Sequence, residues 1–323
     1  FTSEMNDEQR WDYIEDYFLG KPVLEPEKDS ENYYSVILES PKGENNGSQI
    51  AALIKNILKI EIGKAYDNAT LDFANINFLY PIFVLPFSVY LRNLNISYQN
   101  HEQIKGYLDI IHFYNSGIEI NHDTDIENEF KIFSDKNYIG LVSFPVSGDE
   151  NLRNLSNIVV GKIEKLLIEK AGLASNVMHG FKYIVSEVVD NVFEHSGTNR
   201  AWIFAQYYPQ KEYFDLCILD IGKGIFGSYK DKGFDEIKTN REAIENAITG
   251  NSTKEYNTER GYGLTTTIKI TKEGFEGDYI LISGDMLFFN DKIIQIPISW
   301  QGTIVAFRLN KNRPELNLYN YVE

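Results

Sequence analysis

The stretch "SEVVDNVFEHSGTN", Ser186 to Asn199, decides how this chain is read. Its apolar positions, with those just upstream, are Phe181, Ile184, Val185, Val188, Val189 and Val192; they recur at helical spacing and supply one core face. Glu187 and Asn191 sit one turn apart and His195 one turn further, so the three line a single edge of that helix. A carboxylate beside an amide suits one task well. The carboxylate orients or deprotonates a hydroxyl or water, and the amide oxygen ligates a hard cation such as Mg²⁺. An ordinary amphipathic helix with a solvated polar edge has the same spacing, so this element alone leaves both readings open.

Two further stretches carry chemistry. In "LDIGKGI", Leu219 to Ile225, an apolar run ends in a carboxylate followed by two glycines. Asp220 is placed there to accept a hydrogen bond from an exocyclic amine, while Gly222 and Gly224 let the backbone approach a flat ligand. A strand ending in a glycine-rich turn is the plain alternative, and the spacing is not the dinucleotide fingerprint. In "STKEYNTERGYGLTTTIKI", Ser252 to Ile270, Gly261 and Gly263 precede a helix expected to start near Leu264. Free backbone N–H groups and a helix N-terminus can face an anion there, helped by Lys254 or Arg260. A flexible loop before a helix is the competing reading. No G-x-x-x-x-G-K-[ST] element occurs, which excludes a P-loop NTPase.

Composition narrows the setting of these motifs. The 323 residues, 43% hydrophobic and 14% aromatic, are enough to fill two cores. Acidic residues outnumber basic ones 47 to 31, a formal charge of −16 that repels phosphate backbones and argues against nucleic acid as the main partner. The single cysteine, Cys217, lies in an apolar run and has no intramolecular partner, so a cytoplasmic location is expected. The longest apolar stretch, "FLYPIFVLPFSVYL", holds two prolines and falls short of a bilayer span, so it is read as core and no membrane association is expected. No signal peptide is expected from the opening residues.

Along the chain, residues 1–45 read as an acidic helix over Asn6 to Phe18, a linker from Gly20 to Asn32 and a strand, "YYSVILES". Residues 46–137 alternate helical and strand-like runs, with one short strand expected around Phe130 to Phe133, and the acidic "NHDTDIENE" reads as a solvated loop. Residues 138–323 open with the strand "YIGLVSFPV", a turn "SGDE" and a helix whose stripe includes Leu155, Ile158, Val159, Ile163, Leu166 and Leu167 and which ends at Gly172. After the Glu187 helix, closed by Gly197, come strands "AWIFAQYY", "YFDLCILDIG", "YILISG" and "TIVAFRLN". The second and third are separated by a long glycine-bearing loop of a kind that is functional or disordered.

The order of Glu187 and Asn191, Asp220 with its glycines, a long loop, G-x-G, and Thr303 in "QGTIVAFRL" closely resembles the GHKL superfamily of gyrase, heat-shock chaperone, histidine-kinase and mismatch-repair ATPases. Within it, "FPVSGDENLRNL…SEVVDNVFEHSG" is most similar to the anti-sigma-factor serine kinases. The resemblance covers about residues 138 to 310 and implies an α/β two-layer sandwich, the Bergerat-type ATP-binding fold. It implies ATP and Mg²⁺ as cofactors, with Glu187 as general base or water-orienting carboxylate, Asn191 as Mg²⁺ ligand and Asp220 as acceptor of the adenine amine. Gly222 and Gly224 would shape the adenine pocket, Gly261, Gly263 and Leu264 the lid, and Thr303 a second adenine-side contact. Lys254, Arg260 and His195 would be phosphate-side neighbours. "ATLDFANINFLYPIFVLPFSVYLRNL" with "GYLDIIHFYNSG" resembles a smaller α/β STAS-like domain, in which Leu79, Tyr80 and Pro81 stand where phosphorylatable members carry a serine or threonine.

Two functions follow from the resemblance. One is an anti-sigma-type protein serine/threonine kinase or ATPase acting on a protein partner, such as a STAS-like or regulatory protein. The other is an ATP-dependent switch with slow hydrolysis and no phosphoacceptor. A sensor histidine kinase is disfavoured, because His179 lies just before Glu187 on the same helix. The oligomeric state stays open, a homo-oligomer included.

Overall fold

A computed structural model of the chain describes residues 27–30, 33–63, 68–146, 150–250, 263–313 and 316–321. The chain divides into two units, 1–116 with 296–298, and 117–295 with 299–323. The division falls before Gly117, whereas composition placed it at residue 137. The segment between holds β5 (Ile118–Glu119), which pairs in parallel with β6 (Tyr138–Pro145) and so belongs to the second sheet.

The first unit is a four-stranded sheet in the order β1 (Glu27–Ser30), β2 (Tyr33–Ile37), β3 (Asn68–Asp72), β4 (Ile96–Gln99). β2, β3 and β4 run parallel, which requires long crossovers, and the helices α1 (Asn46–Gly63) and α2 (Pro81–Leu91) supply them. Ile50, Leu53, Ile54 and Ile57 of α1 are buried, and α2 is buried almost all round. α3 (Glu102–Ile110) follows β4. The expected linker at Gly20 to Asn32 is corrected in part: Glu27–Ser30 is an edge strand antiparallel to β2, a place where charged residues are tolerated. The helix expected over Asn6 to Phe18 lies outside the described residues.

The second unit is built on a six-stranded mixed sheet in the order β5, β6, β7 (Arg200–Tyr208), β8 (Tyr213–Asp220), β10 (Lys292–Asn310), β9 (Asp278–Phe289). Between β5 and β6 lies α4 (Ile126–Phe130). The strand expected at Phe130 to Phe133 is instead the end of this helix and a 3₁₀ turn, started by Asp125, whose side chain accepts from Asn128 N. Phe130 and Phe133 are buried edge to face, so the apolar pair serves the core from a helical turn rather than from a strand.

α5 (Glu150–Ala171) packs on β6 and β7, and α6 (Ser175–His195) packs on β8. Gly172, at φ +61°, ends α5, and Gly197, at φ +66°, follows α6. Val159, Ile163 and Leu167 of α5 are buried as expected, but Ile158 is 57% exposed and faces away from the sheet. The turn "SGDE" lies largely outside the described residues. The long loop expected between β8 and β9 is corrected in part: it contains α7 (Gly224–Asp231) and α8 (Asn240–Ile248), while the helix expected near Leu264 is present as α9 (Gly263–Lys269), which runs into a π-helical turn, Ile270–Gly274. The architecture is mixed α/β and compatible with an α/β sandwich. No helix among the described residues is long and apolar enough to cross a membrane.

Candidate functional site

The end of β8 is where the second sheet becomes polar. Asp220, 2% exposed, accepts from Gly222 N at 2.8 Å and from both the backbone and the side chain of Thr303, which lies within β10 just before its pairing with β8 begins. Burial pushes this carboxyl up to about 6, and the bonds from Gly222 and Thr303 oppose the shift. A carboxylate offers about four acceptor positions, so these three bonds leave one for a ligand donor.

Close approach explains the glycines around it. A Cβ on Gly222 would lie 2.0 Å from Ser196 O at the end of α6, where Lys223 N also donates at 2.9 Å. Gly224, at φ +69°, would bring a Cβ within 2.7 Å of Ser283 Oγ. Sequence reasoning missed the other half of this arrangement. Ser283 Oγ accepts from Ile225 N at 3.0 Å and donates to Gly302 O at 2.9 Å, and Trp300 Nε1 donates to Asp220 O at 3.3 Å. The hairpin segment carrying these residues gave no motif, because a serine, a tryptophan and a glycine in an apolar strand read as ordinary strand composition.

A cavity of about 920 Å³, its open mouth included, lies between the helices α6, α7 and α9 and the strands β8, β9 and β10. Val188, Val192, Ile218, Ile225, Leu281 and Val305 make its apolar walls, and Asn191, His195, Asp220 and Thr303 its polar rim. Of the residues singled out in the sequence, Asn191, His195, Asp220, Gly224, Gly263, Leu264 and Thr303 line it together, and Gly222 shapes the turn behind Asp220. Lys254, Arg260 and Gly261 lie outside the described residues.

Glu187 stands against the start of α9: a Cβ on Gly263 would lie 2.0 Å from Glu187 Oε2. The two helices are tied again by Tyr183, whose side chain bonds Thr266 and whose hydroxyl is pushed up by burial and by Glu187. α9 is fastened to α8 through Thr265 Oγ1, which donates to Ile248 O at 2.9 Å. α8 starts with a capping box of Thr239 and Glu242, and α7 and α8 share a small core of Tyr229, Ile237 and Ala243. His195 Nε2 lies 3.8 Å from Glu194 Oε2, a partly exposed and weak pair.

Among the described residues no group of three or more His, Cys, Asp or Glu side chains could hold a metal ion. Asn191 and Glu187, one helical turn apart, supply two ligating side chains. That set suits Mg²⁺ carried by a ligand's phosphates, because Mg²⁺ retains waters and takes few protein ligands. An apolar slot ending in one buried acceptor suits a flat heteroaromatic ring that donates an N–H.

No family model, curated protein or solved structure matches the chain.

Proposed function

We propose that the second unit binds Mg-ATP in this cavity as a Bergerat-type domain of the GHKL class, and that the protein is a signalling kinase or ATPase of the anti-sigma type acting on a protein partner. One observation carries the reading. Asp220 is a buried carboxylate with one acceptor position left, set at the end of an apolar slot whose other rim holds Asn191.

In this reading Asp220 and Thr303 hold the adenine edge, and the valines and Ile218 flank the ring. Asn191 would hold the Mg²⁺, which when bound neutralises phosphate charge. Glu187 orients the attacking hydroxyl or water and takes its proton, while α9 covers the phosphates and excludes solvent. The first unit, read as STAS-like, serves as the partner-facing domain of a cytoplasmic protein. The contact of Glu187 with Gly263 also favours a switch, in which a ligand's phosphates at Glu187 reposition α9 without transfer to an acceptor.

Calorimetry of Mg-ATP with the intact chain tests the pocket, beside Asp220→Asn and Asn191→Ala. Saturable binding that both variants weaken strongly is expected; absence of binding to wild type overturns the reading. Radiolabel transfer to a protein then separates a kinase from phosphate release without transfer.

A further inference from the structure

Tyr279 is fully buried on β9, and among the described residues its hydroxyl has no hydrogen-bond partner. Its backbone is otherwise satisfied, since Tyr279 N donates to Asn290 Oδ1 at 2.9 Å and Asn290 N donates back to Tyr279 O at 3.0 Å. A buried hydroxyl left unpaired costs about 1–3 kcal/mol, a penalty that phenylalanine of the same shape avoids. The chain uses phenylalanine freely nearby, at Phe288, Phe289 and Phe307. Among the described residues, Tyr279 is the one buried side chain with an unpaired polar atom that also lines the cavity.

Strand register fixes where it stands. Ser283 pairs with Thr303, Leu281 with Val305 and Tyr279 with Phe307, while Val305 pairs with Ile218. The wall therefore runs from the polar row of Thr303 and Asp220, through the apolar row of Ile218, Val305 and Leu281, to Tyr279. At about 3.3 Å per residue, Tyr279 starts about 13 Å along β9 from Ser283. The slot has the Asp220 carboxylate at one end, hydrocarbon between, and the Tyr279 side chain in its wall toward the other end.

We propose that Tyr279 is a specificity-determining residue of this cavity, its hydroxyl donating to an acceptor atom of the bound ring while Asp220 accepts from the ring's amine. This rests on the nucleotide reading above and deepens it. The ligand is then an aminopurine recognised at two edges, and rings lacking the second acceptor leave the hydroxyl unpaired and are rejected.

Tyr279→Phe tests the assignment, with Mg-ATP as the probe and the intact chain as the protein. Removing an unpaired buried hydroxyl should raise the melting temperature of the free variant while weakening Mg-ATP about tenfold in calorimetry. A residue that only fills space would leave the affinity unchanged. Equal affinity in Tyr279→Phe and wild type, with binding still lost in Asp220→Asn, overturns the role of Tyr279 and leaves the nucleotide reading intact. A wild type that binds no Mg-ATP overturns both.

Discussion

Ile225 donates its backbone N–H to Ser283 Oγ at 3.0 Å, so the first turn of α7 hangs from a side chain on β9 rather than from its own helix. The same hydroxyl donates to Gly302 O at 2.9 Å. One serine thus joins the turn after Asp220 to the two strands behind it. Helix N-termini carry unpaired N–H groups that need such partners.

Ser283→Ala removes this link and strands a half-buried donor and a buried acceptor. Each unsatisfied group costs about 1–3 kcal/mol, so a loss of about 2 kcal/mol after local relaxation is expected. Urea unfolding checks it as a lowered midpoint with an unchanged slope. Ligand affinity should fall as well, because the loosened turn carries Gly222, which donates to Asp220.

Asp220 makes stability depend on pH in a predictable direction. Its folded carboxyl titrates at about 6, above the ordinary value of 3.8, so between those values the folded state holds the proton more tightly than the unfolded chain. Its contribution is greatest below about 4, falls as pH rises to about 6 and is flat above. Asp220→Asn removes that slope. Melting curves should show the variant gaining on wild type between pH 4.5 and pH 7. Mg-ATP affinity of wild type should rise through pH 6 as the acceptor carboxylate forms.

The sequence reveals half of this site clearly. Helical periodicity around Glu187 and the carboxylate ending an apolar run are local signals, and Asn191, Asp220, Gly224, Gly263, Leu264 and Thr303 come together as those signals suggest. What joins them is long-range. Ser283, Gly302 and Tyr279 acquire their roles from strand register, which no local pattern encodes. The helices α7 and α8 were hidden by glycines and by short length. The exposed Ile158 shows that an apolar residue at helical spacing need not face the core.

Asp215 and Arg308, cross-strand partners on β8 and β10, form a bidentate pair with both bonds at 2.7 Å and side chains 4% and 14% exposed. Burial pushes the Asp215 carboxyl up and Arg308 opposes it. Burial also acts to lower Arg308, but Asp215 outweighs that and holds the guanidinium above its ordinary value. The fork geometry decides for an ionised pair, and Arg308 also lies 4.0 Å over the Tyr213 ring. Arg308→Met leaves Asp215 buried and uncompensated, with an expected loss of about 3–5 kcal/mol. The double variant with Asp215→Asn should recover most of it in chemical denaturation.

Gly263→Ala separates closure of the site from binding within it. The added Cβ would sit 2.0 Å from Glu187 Oε2, closer than any real contact, so either the carboxylate swings away or the start of α9 retreats. Both displace Glu187 relative to α9, yet neither disturbs Asp220 or Thr303 at the far rim. Mg-ATP affinity should therefore change less than threefold, while phosphate release or transfer should fall by about 10²-fold, the scale on which a mispositioned catalytic group acts. Single-turnover rates beside calorimetric affinities measure the split. An equal loss in both would place Gly263 in ligand binding rather than in the alignment of Glu187, and an unchanged rate would remove Glu187 from the chemistry.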